Sequence, residues 1–375
     1  MRVEFFRHAL GKRELERVSQ ALREPILTTG RAVAEFERRL AARLGLGHAV
    51  GVTSCTAALH LCLQAHGVGP GDEVITTPLT FVATAHAILH AGATPVFADV
   101  EPATGILELA RVEAAVTSRT RAVIPVHLYG VMGDMRGLAA LAERRCLTVI
   151  EDAAQCLEGS RDGVRPGHLS RAACFSFYAT KSITSGEGGA VVTHHQDLAA
   201  RLRRLRLHGM TAGAEERHRH GFRHWDVDEV GWKYNMDNLQ AALLLGQLPR
   251  VRARYRARQR IWRLYDDAFG GQPGIERLQL PAGARSACHL YTLLVDPERR
   301  DRMVAAIESS GVGVTVNYRP VHLLSCYRRT FGFQPGDFPA AESIGERTLS
   351  LPLYPGLKQA QVEHVIAVVR RALKA

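Results

Sequence analysis

HAVGVTSCTAALHLCLQAHGVGPGDEVITTPLTFVATAHAILHAGATPVFADV, His48 to Val100, is the stretch on which the fold turns. HAVGVTS (48–54) is a short apolar run of strand type, and TAALHLCLQAHG (56–67) behind it has helical spacing. DEVITTP then reads as a strand, TFVATAHAILHAG as a helix and TPVFADV as a strand. Strands alternating with helices at this spacing predict an α/β fold, a mainly parallel sheet covered by helices on both faces.

Downstream the pattern continues. RAVIPVHLY predicts a strand, DMRGLAALAERR a helix and CLTVIED a strand, while CFSFYA and GAVVTHH are close enough to add a neighbouring pair. The rhythm then changes. HLYTLLVD, GVGVTVNY and the closing helix QVEHVIAVVRRAL suggest a smaller α+β domain. We therefore expect a large domain over residues 1–249, with an N-terminal arm over 1–27, and a small domain over 250–375. The stretch 209–230 lacks periodicity and is long for a plain connection, so we read it as a functional or partner-ordered loop.

A chain of 375 residues with 46% hydrophobic and 23% charged residues has the composition of a globular enzyme. No apolar run reaches membrane-spanning length, and the start, MRVEFFRHALGKRELERVSQ, lacks the apolar core of a signal peptide, so a cytoplasmic protein is expected. Seven scattered cysteines without a C-x-x-C argue against a disulfide framework or a zinc site. The net charge of +11 raises nucleic-acid binding, fed by RVRARYRARQRIWR (250–263). Leu244, Leu248, Val251, Tyr255, Trp262 and Tyr265 nevertheless fall near one stripe, making this an amphipathic helix whose arginines are mostly a solvated face. No zinc-finger or RRM-type motif accompanies the charge, so no nucleic acid is expected as partner. An anionic small substrate uses basic residues equally well.

In open parallel sheets, ligands bind at the carboxyl ends of the strands. That rule selects Ser54-Cys55-Thr56, Thr76-Thr77-Pro78, His127-Leu128-Tyr129, Glu151 to Gln155, and Tyr178 to Lys181. Neither GxGxxG nor a Walker loop is among them. Ser54-Cys55-Thr56 opens a helix directly after a strand, which suits either a phosphate or a simple N-cap. Asp152 ends a strand, as a cap, an ion-pair partner or a carboxylate for a cationic ring nitrogen. Lys181 follows a buried strand in CFSFYATKSITSGEGGAVVT (174–193), where an unpaired ammonium is costly. A phosphate turn, a carboxylate and a lysine together specify a cofactor with a phosphate, a basic nitrogen and an aldehyde, which is the shape of pyridoxal phosphate.

The chain resembles the DegT/StrS-type sugar aminotransferases among the fold-type I pyridoxal-phosphate enzymes. The resemblance rests on TTGRAVAEFERRLA, VTSCTAALHL, TTPLTFVATAHAILHAGATPVFADV, PVHLYGVMGDM, VIEDAAQCLEGS, FSFYATKSITSGEGGAVVT, RLRLHGM, GWKYNMDNLQAALLLGQL, YRPVHLL and TLSLPLYPGL, in family order from about Thr28 to Pro355. It implies a mainly parallel seven-stranded sheet between helices and a homodimer with active sites at the subunit interface. Lys181 would be the catalytic residue and covalent anchor of the cofactor. Asp152 would pair with the ring nitrogen, Gln155 would lie by the ring oxygen, and Phe81 would stack on the ring. Cys55, Thr56 and Ser176 would hold the phosphate, with Asn235 reaching across from the other subunit. The family commonly has glycine at the position of Cys55.

The same resemblance implies a nucleotide-linked keto-sugar as acceptor, glutamate as donor, and amination at C4, because GEGG follows the lysine. Tyr129, Tyr318 and His322 would approach the sugar, and Glu187 would orient a hydroxyl or close the turn. Lys233, Arg206 and His208 would meet a nucleotide diphosphate. Two alternatives remain: an aminotransferase for a keto-cyclitol such as an inosose, and a non-catalytic regulator on the same fold. The related 3-dehydratases replace the lysine by histidine, and Lys181 counts against them.

Overall fold

The computed structural model describes residues 1–211 and 224–374. Most of the 209–230 loop expectation therefore lies outside the described residues. His48–Val52 forms β1, Cys55–Ala65 α3, Glu73–Thr76 β2, Ala83–His90 α4, Thr94–Phe97 β3, Thr120–Ile124 β4, Thr148–Asp152 β5, Ala172–Ser176 β7 and Gly189–Thr193 β8. These seven strands form one sheet in the order β1-β8-β7-β5-β4-β2-β3; Ser160–Arg161 (β6) lies outside it, paired with Ala284–Arg285, and Leu109–Ala114 is α5. Only β8 runs against the others, pairing antiparallel with both β1 and β7. The expected pair CFSFYA and GAVVTHH is β7 with β8, and the expected mainly parallel sheet is present.

Both faces are covered, which explains why the strands are apolar throughout instead of alternating. One face packs on Arg31–Leu44 (α2), Met135–Arg145 (α6) and Asn238–Gln247 (α8), through Phe36, Leu40, Leu138 and Leu244. The other packs on α3, α4 and Gln196–Leu205 (α7), through Leu61, Ile88 and Leu202. A third core gathers Ile261, Tyr265, Leu293, Ile307, Leu349, Val365 and Val369 around a two-stranded sheet, Tyr291–Leu294 with Thr348–Leu351. GVGVTVNY contributes to this unit only isolated bridges, Val3 with Val312 and Thr315 with Ser350. Val3 thus carries the start of the chain into the third core, while Lys12–Ala21 (α1) lies against α8.

Val251–Phe269 forms one long helix, α9, as the amphipathic pattern predicts. Its arginines are mostly on the exposed side, as expected, with two exceptions. Arg252, Arg256 and Arg260 are exposed, but Arg254 and Arg258 are buried. Positions 254 and 258 fall on the inner stripe with Val251, Ile261 and Tyr265, where each guanidinium is held by several acceptors. Arg254 donates to Gln247 Oε1 at 2.8 Å and to the Ala9 carbonyl at 2.5 Å. All seven cysteines are free thiols.

Candidate active site

Topology brings the candidates together. The carboxyl ends of β1, β4, β5 and β7 and the start of β8 lie at one edge of the sheet, and the connection 177–188 between β7 and β8 loops over that edge. There a cavity of about 610 Å³ is lined by Cys55, Thr56, Phe81, Asp152, Gln155, Ser176, Lys181, Glu187 and Tyr318 among others.

α3 begins with Ser54 as N-cap, its Oγ accepting from Ala57 N–H at 3.0 Å. The N–H groups of Cys55 and Thr56 find no acceptor among the described residues, so the helix presents free donors and its positive dipole end to the cavity. The N-cap and anion readings are compatible, because the cap uses one donor and leaves two. Gly189 presses on this turn so closely that a Cβ there would stand 2.6 Å from Cys55 N. Ser176, opposite Gly189 in the ladder, completes this end.

Asp152 Oδ2 accepts from Thr84 Oγ1 at 2.7 Å, and its Oδ1 accepts from Ala154 N–H at 3.1 Å. Thr84, in the first turn of α4, in turn shares a 2.9 Å hydrogen bond with Thr80, which lies in the connection just before the helix. Of the adjacent carboxylates 151 and 152, only Asp152 reaches the cavity. Successive strand side chains point to opposite faces, and Glu151 turns into the core to meet His127 Nε2 at 2.6 Å and Ser170 Oγ at 2.5 Å.

Lys181 is half-buried in the lining of the cavity, and its amine has no hydrogen bond or ion pair among the described residues. Burial lowers its pKa from the ordinary 10.5, opposed by Cys55 and Asp152. Burial also raises the Cys55 thiol well above its usual range, so it is neutral. Gln155 Oε1 accepts from the Tyr129 N–H at 2.6 Å, and its Nε2 donates to the Tyr318 hydroxyl at 2.8 Å. Burial, reinforced by Asp152, pushes that phenol up to about 12. The rings of Phe81 and Tyr318 lie 5.8 Å apart across the mouth.

Other sequence candidates lie elsewhere. Tyr129 sits behind the wall with a left-handed φ of 56°, its hydroxyl donating to the Asn317 carbonyl. His322 is fully buried on Glu342, 2.9 Å from Oε1, beneath Phe338. Arg206 is not a surface cation: it is buried on Glu37 Oε1 at 2.5 Å and the Gly51 carbonyl at 2.7 Å. Asn235 lies along the edge of β1, its amide donating to Thr29 Oγ1 at 2.8 Å and accepting from Lys233 Nζ at 2.7 Å. Lys233 and His208 are exposed at that same edge, outside the cavity. Sequence reasoning missed Thr84, the arm residues Phe5 and Phe6, and His289, which all line the cavity. Only Thr84 left a signal, as a hydroxyl four residues after Thr80.

This arrangement fits pyridoxal phosphate. It offers free N–H donors for a phosphate, a fixed carboxylate for a ring nitrogen, an aromatic face and an unpaired amine for an aldehyde.

Comparison with known proteins agrees. A model of the DegT/DnrJ/EryC1/StrS aminotransferase family matches residues 8–370. The chain is 43% identical to the spore coat polysaccharide biosynthesis protein SpsC of Bacillus subtilis over 371 residues, covering 97% of this chain and 95% of that one. It is 37% identical to GDP-perosamine synthase of Caulobacter vibrioides over 354 residues, covering 93% and 92%. Among solved structures it matches DesV of S. venezuelae, a complex with a ketimine intermediate, with TM-score 0.93 and 34% identity over 100% of this chain and 99% of that one.

Proposed function

Since the chain belongs to the DegT/DnrJ/EryC1/StrS aminotransferase family, we propose that it moves an amino group from glutamate to a nucleotide-linked keto-sugar, at C4 of a 4-keto-6-deoxyhexose, using pyridoxal phosphate. It is an enzyme, and its fold is that of the fold-type I pyridoxal-phosphate transferases. The observation that carries the reading is the unpaired Lys181 amine on the floor of a cavity that also presents Asp152 and the open end of α3. A relative that makes GDP-perosamine supports a nucleotide-sugar acceptor.

When bound, the cofactor supplies an electron sink for the charge left at Cα of the donor. The chain's own residues do the rest. Cys55 and Thr56 N–H groups with Ser176 would hold the phosphate, and Asp152, itself fixed by Thr84 and Ala154, would keep the ring nitrogen protonated. Gln155 would lie by the ring oxygen, and Phe81 would cover the ring. Lys181 would hold the cofactor covalently, and its free Nζ would take the Cα proton of the donor. Burial serves this step, because an amine with a lowered pKa is a free base at lower pH.

We place the second subunit at the edge bearing Asn235, Lys233 and His208, none of which reaches the chain's own cavity. A homodimer sharing its sites would bring them to the partner's cofactor and nucleotide. The test is an absorption spectrum before and after glutamate, followed by product analysis with a nucleotide-linked 4-keto-sugar and with an inosose. We expect a yellow band that bleaches with glutamate and turnover of the nucleotide sugar. Turnover of the free cyclitol alone would establish the keto-cyclitol reading, and a colourless protein that takes up no cofactor the regulator reading. Lys181→Ala should keep the fold and lose all multiple turnover.

A further inference from the structure

The connection that carries Lys181 is closed into a ring of contacts through the interior. Ser182 Oγ, one residue on, donates to Glu158 Oε2 at 3.2 Å. Glu158 Oε1 accepts from Arg258 Nη2 at 2.7 Å, both side chains being buried. Arg258 Nε donates to the Cys288 carbonyl at 3.0 Å, and Nη2 reaches the Ala287 carbonyl at 3.2 Å. Cys288 has a φ of 50°, rare for a residue with a side chain, and its N–H is held by Ser286 Oγ at 3.0 Å. The next residue is His289. Its side chain borders both the main cavity and a small pocket of about 30 Å³ behind Lys181.

The His289 ring makes no hydrogen bond to any described residue, and neither does the Lys181 amine. Two unpartnered nitrogen groups therefore border the same space, at the two ends of a chain of contacts that fixes both backbones. An imidazole buried without a partner is costly, so an apolar residue would be the stable choice here if nothing used the ring.

We infer that His289 is a positioning residue for Lys181: when the amine turns into the pocket the two residues share, a ring nitrogen accepts one of its N–H groups and aims the amine toward the donor's Cα. The inference rests on the reading of Lys181 as the reactive amine. Burial, with Lys181 and Arg258 nearby, holds the imidazole well below its usual pKa, so it stays neutral and keeps one acceptor nitrogen. Asp152 and Cys55 face the amine from the cavity side; Arg7, His8, Arg254, Arg258 and Tyr354 line the small pocket behind, with Glu158 paired to Arg258. A neutral amine has two N–H groups and one lone pair, so an acceptor on one side restricts where the lone pair points.

The experiment labels Lys181 with trinitrobenzenesulfonate across pH in the full chain freed of cofactor, read by peptide mass spectrometry. An ammonium that loses a charge-assisted acceptor ionises more easily. His289→Phe should therefore lower the midpoint of labelling by about one pH unit, the size of one such bond. His289→Gln, which restores an acceptor, should recover most of it. Arg258→Lys, which removes the fork on the Cys288 carbonyl but keeps the charge, should give an intermediate shift. In the loaded enzyme, His289→Phe should lower kcat by roughly tenfold to a hundredfold, with KM for the amino donor within about threefold. A midpoint unmoved in both His289 variants overturns the inference. An inactive wild type with a shifted midpoint would instead sink the aminotransferase reading and leave the pairing standing.

Discussion

Residues 151 and 152 are chemically alike and one peptide apart, yet the strand sends them to opposite sides of the sheet. Their variants should fail differently. Asp152→Asn keeps the Thr84 contact and the volume, so its melting temperature should stay near wild type, while kcat falls by roughly 10²-fold or more. Glu151→Ala strips His127, Ser170 and the Gly167 N–H of one shared acceptor and should cost about 3 kcal/mol in denaturant unfolding. Thr84→Val tests the support beneath the carboxylate. Losing one hydrogen bond to Asp152 Oδ2 should lower kcat about tenfold with little change in stability. A Thr84→Val enzyme at full kcat would show that Asp152 needs no support from α4.

At the level of elements, the decisive contact is between the start of β8 and the start of α3. Glycine at 189 is required by close approach: its φ is not in the left-handed region, but a Cβ would stand 2.3 Å from Ser54 C. Gly189→Ala must push the α3 turn away from the cavity. Such overpacking costs roughly 1–3 kcal/mol, and we expect at least a tenfold loss of cofactor affinity in a spectroscopic titration, with circular dichroism unchanged. Gly186 is the control. Its φ of 83° makes alanine strained, but the space around it is open, so Gly186→Ala should cost about 1 kcal/mol and leave the α3 turn in place. Equal cofactor losses in the two variants would refute the role given to Gly189. The glycine run was visible in GEGG, but which glycine touches the phosphate turn was not, because that depends on how two strands pair.

Over the whole molecule, Lys181 is a local destabiliser kept for use. Its folded pKa lies below the 10.5 of an exposed lysine, so between the two values the unfolded chain binds more protons than the folded one. Stability from this group therefore rises as pH increases through that window, and below it the folded state bears the full cost of burying the charge. In the cofactor-free protein, Lys181→Met should raise the melting temperature at neutral pH by roughly 2 °C, and the gap should close as pH approaches 10.5. A variant less stable than wild type at neutral pH would show that the amine is satisfied in the folded state.

The order of strands and helices, the mainly parallel sheet and the strand ends that border the cavity were legible because each rests on local information: period, length and the residue at a strand's end. Cys55, Thr56, Asp152, Gln155 and Lys181 fall under the same rule, since the carboxyl ends of parallel strands share one edge, while Ser176 came from the family resemblance. The burial of Arg206, Arg254 and Arg258 was not legible. Burial of a guanidinium depends on acceptors far away in sequence, such as Glu37, Ala9 and Glu158, and no local pattern reveals them. Phe5, Phe6 and His289 escaped for the same reason. Periodicity reports which face of an element is apolar; packing of distant segments decides what stands opposite that face, and here it set an imidazole in the same cavity as Lys181.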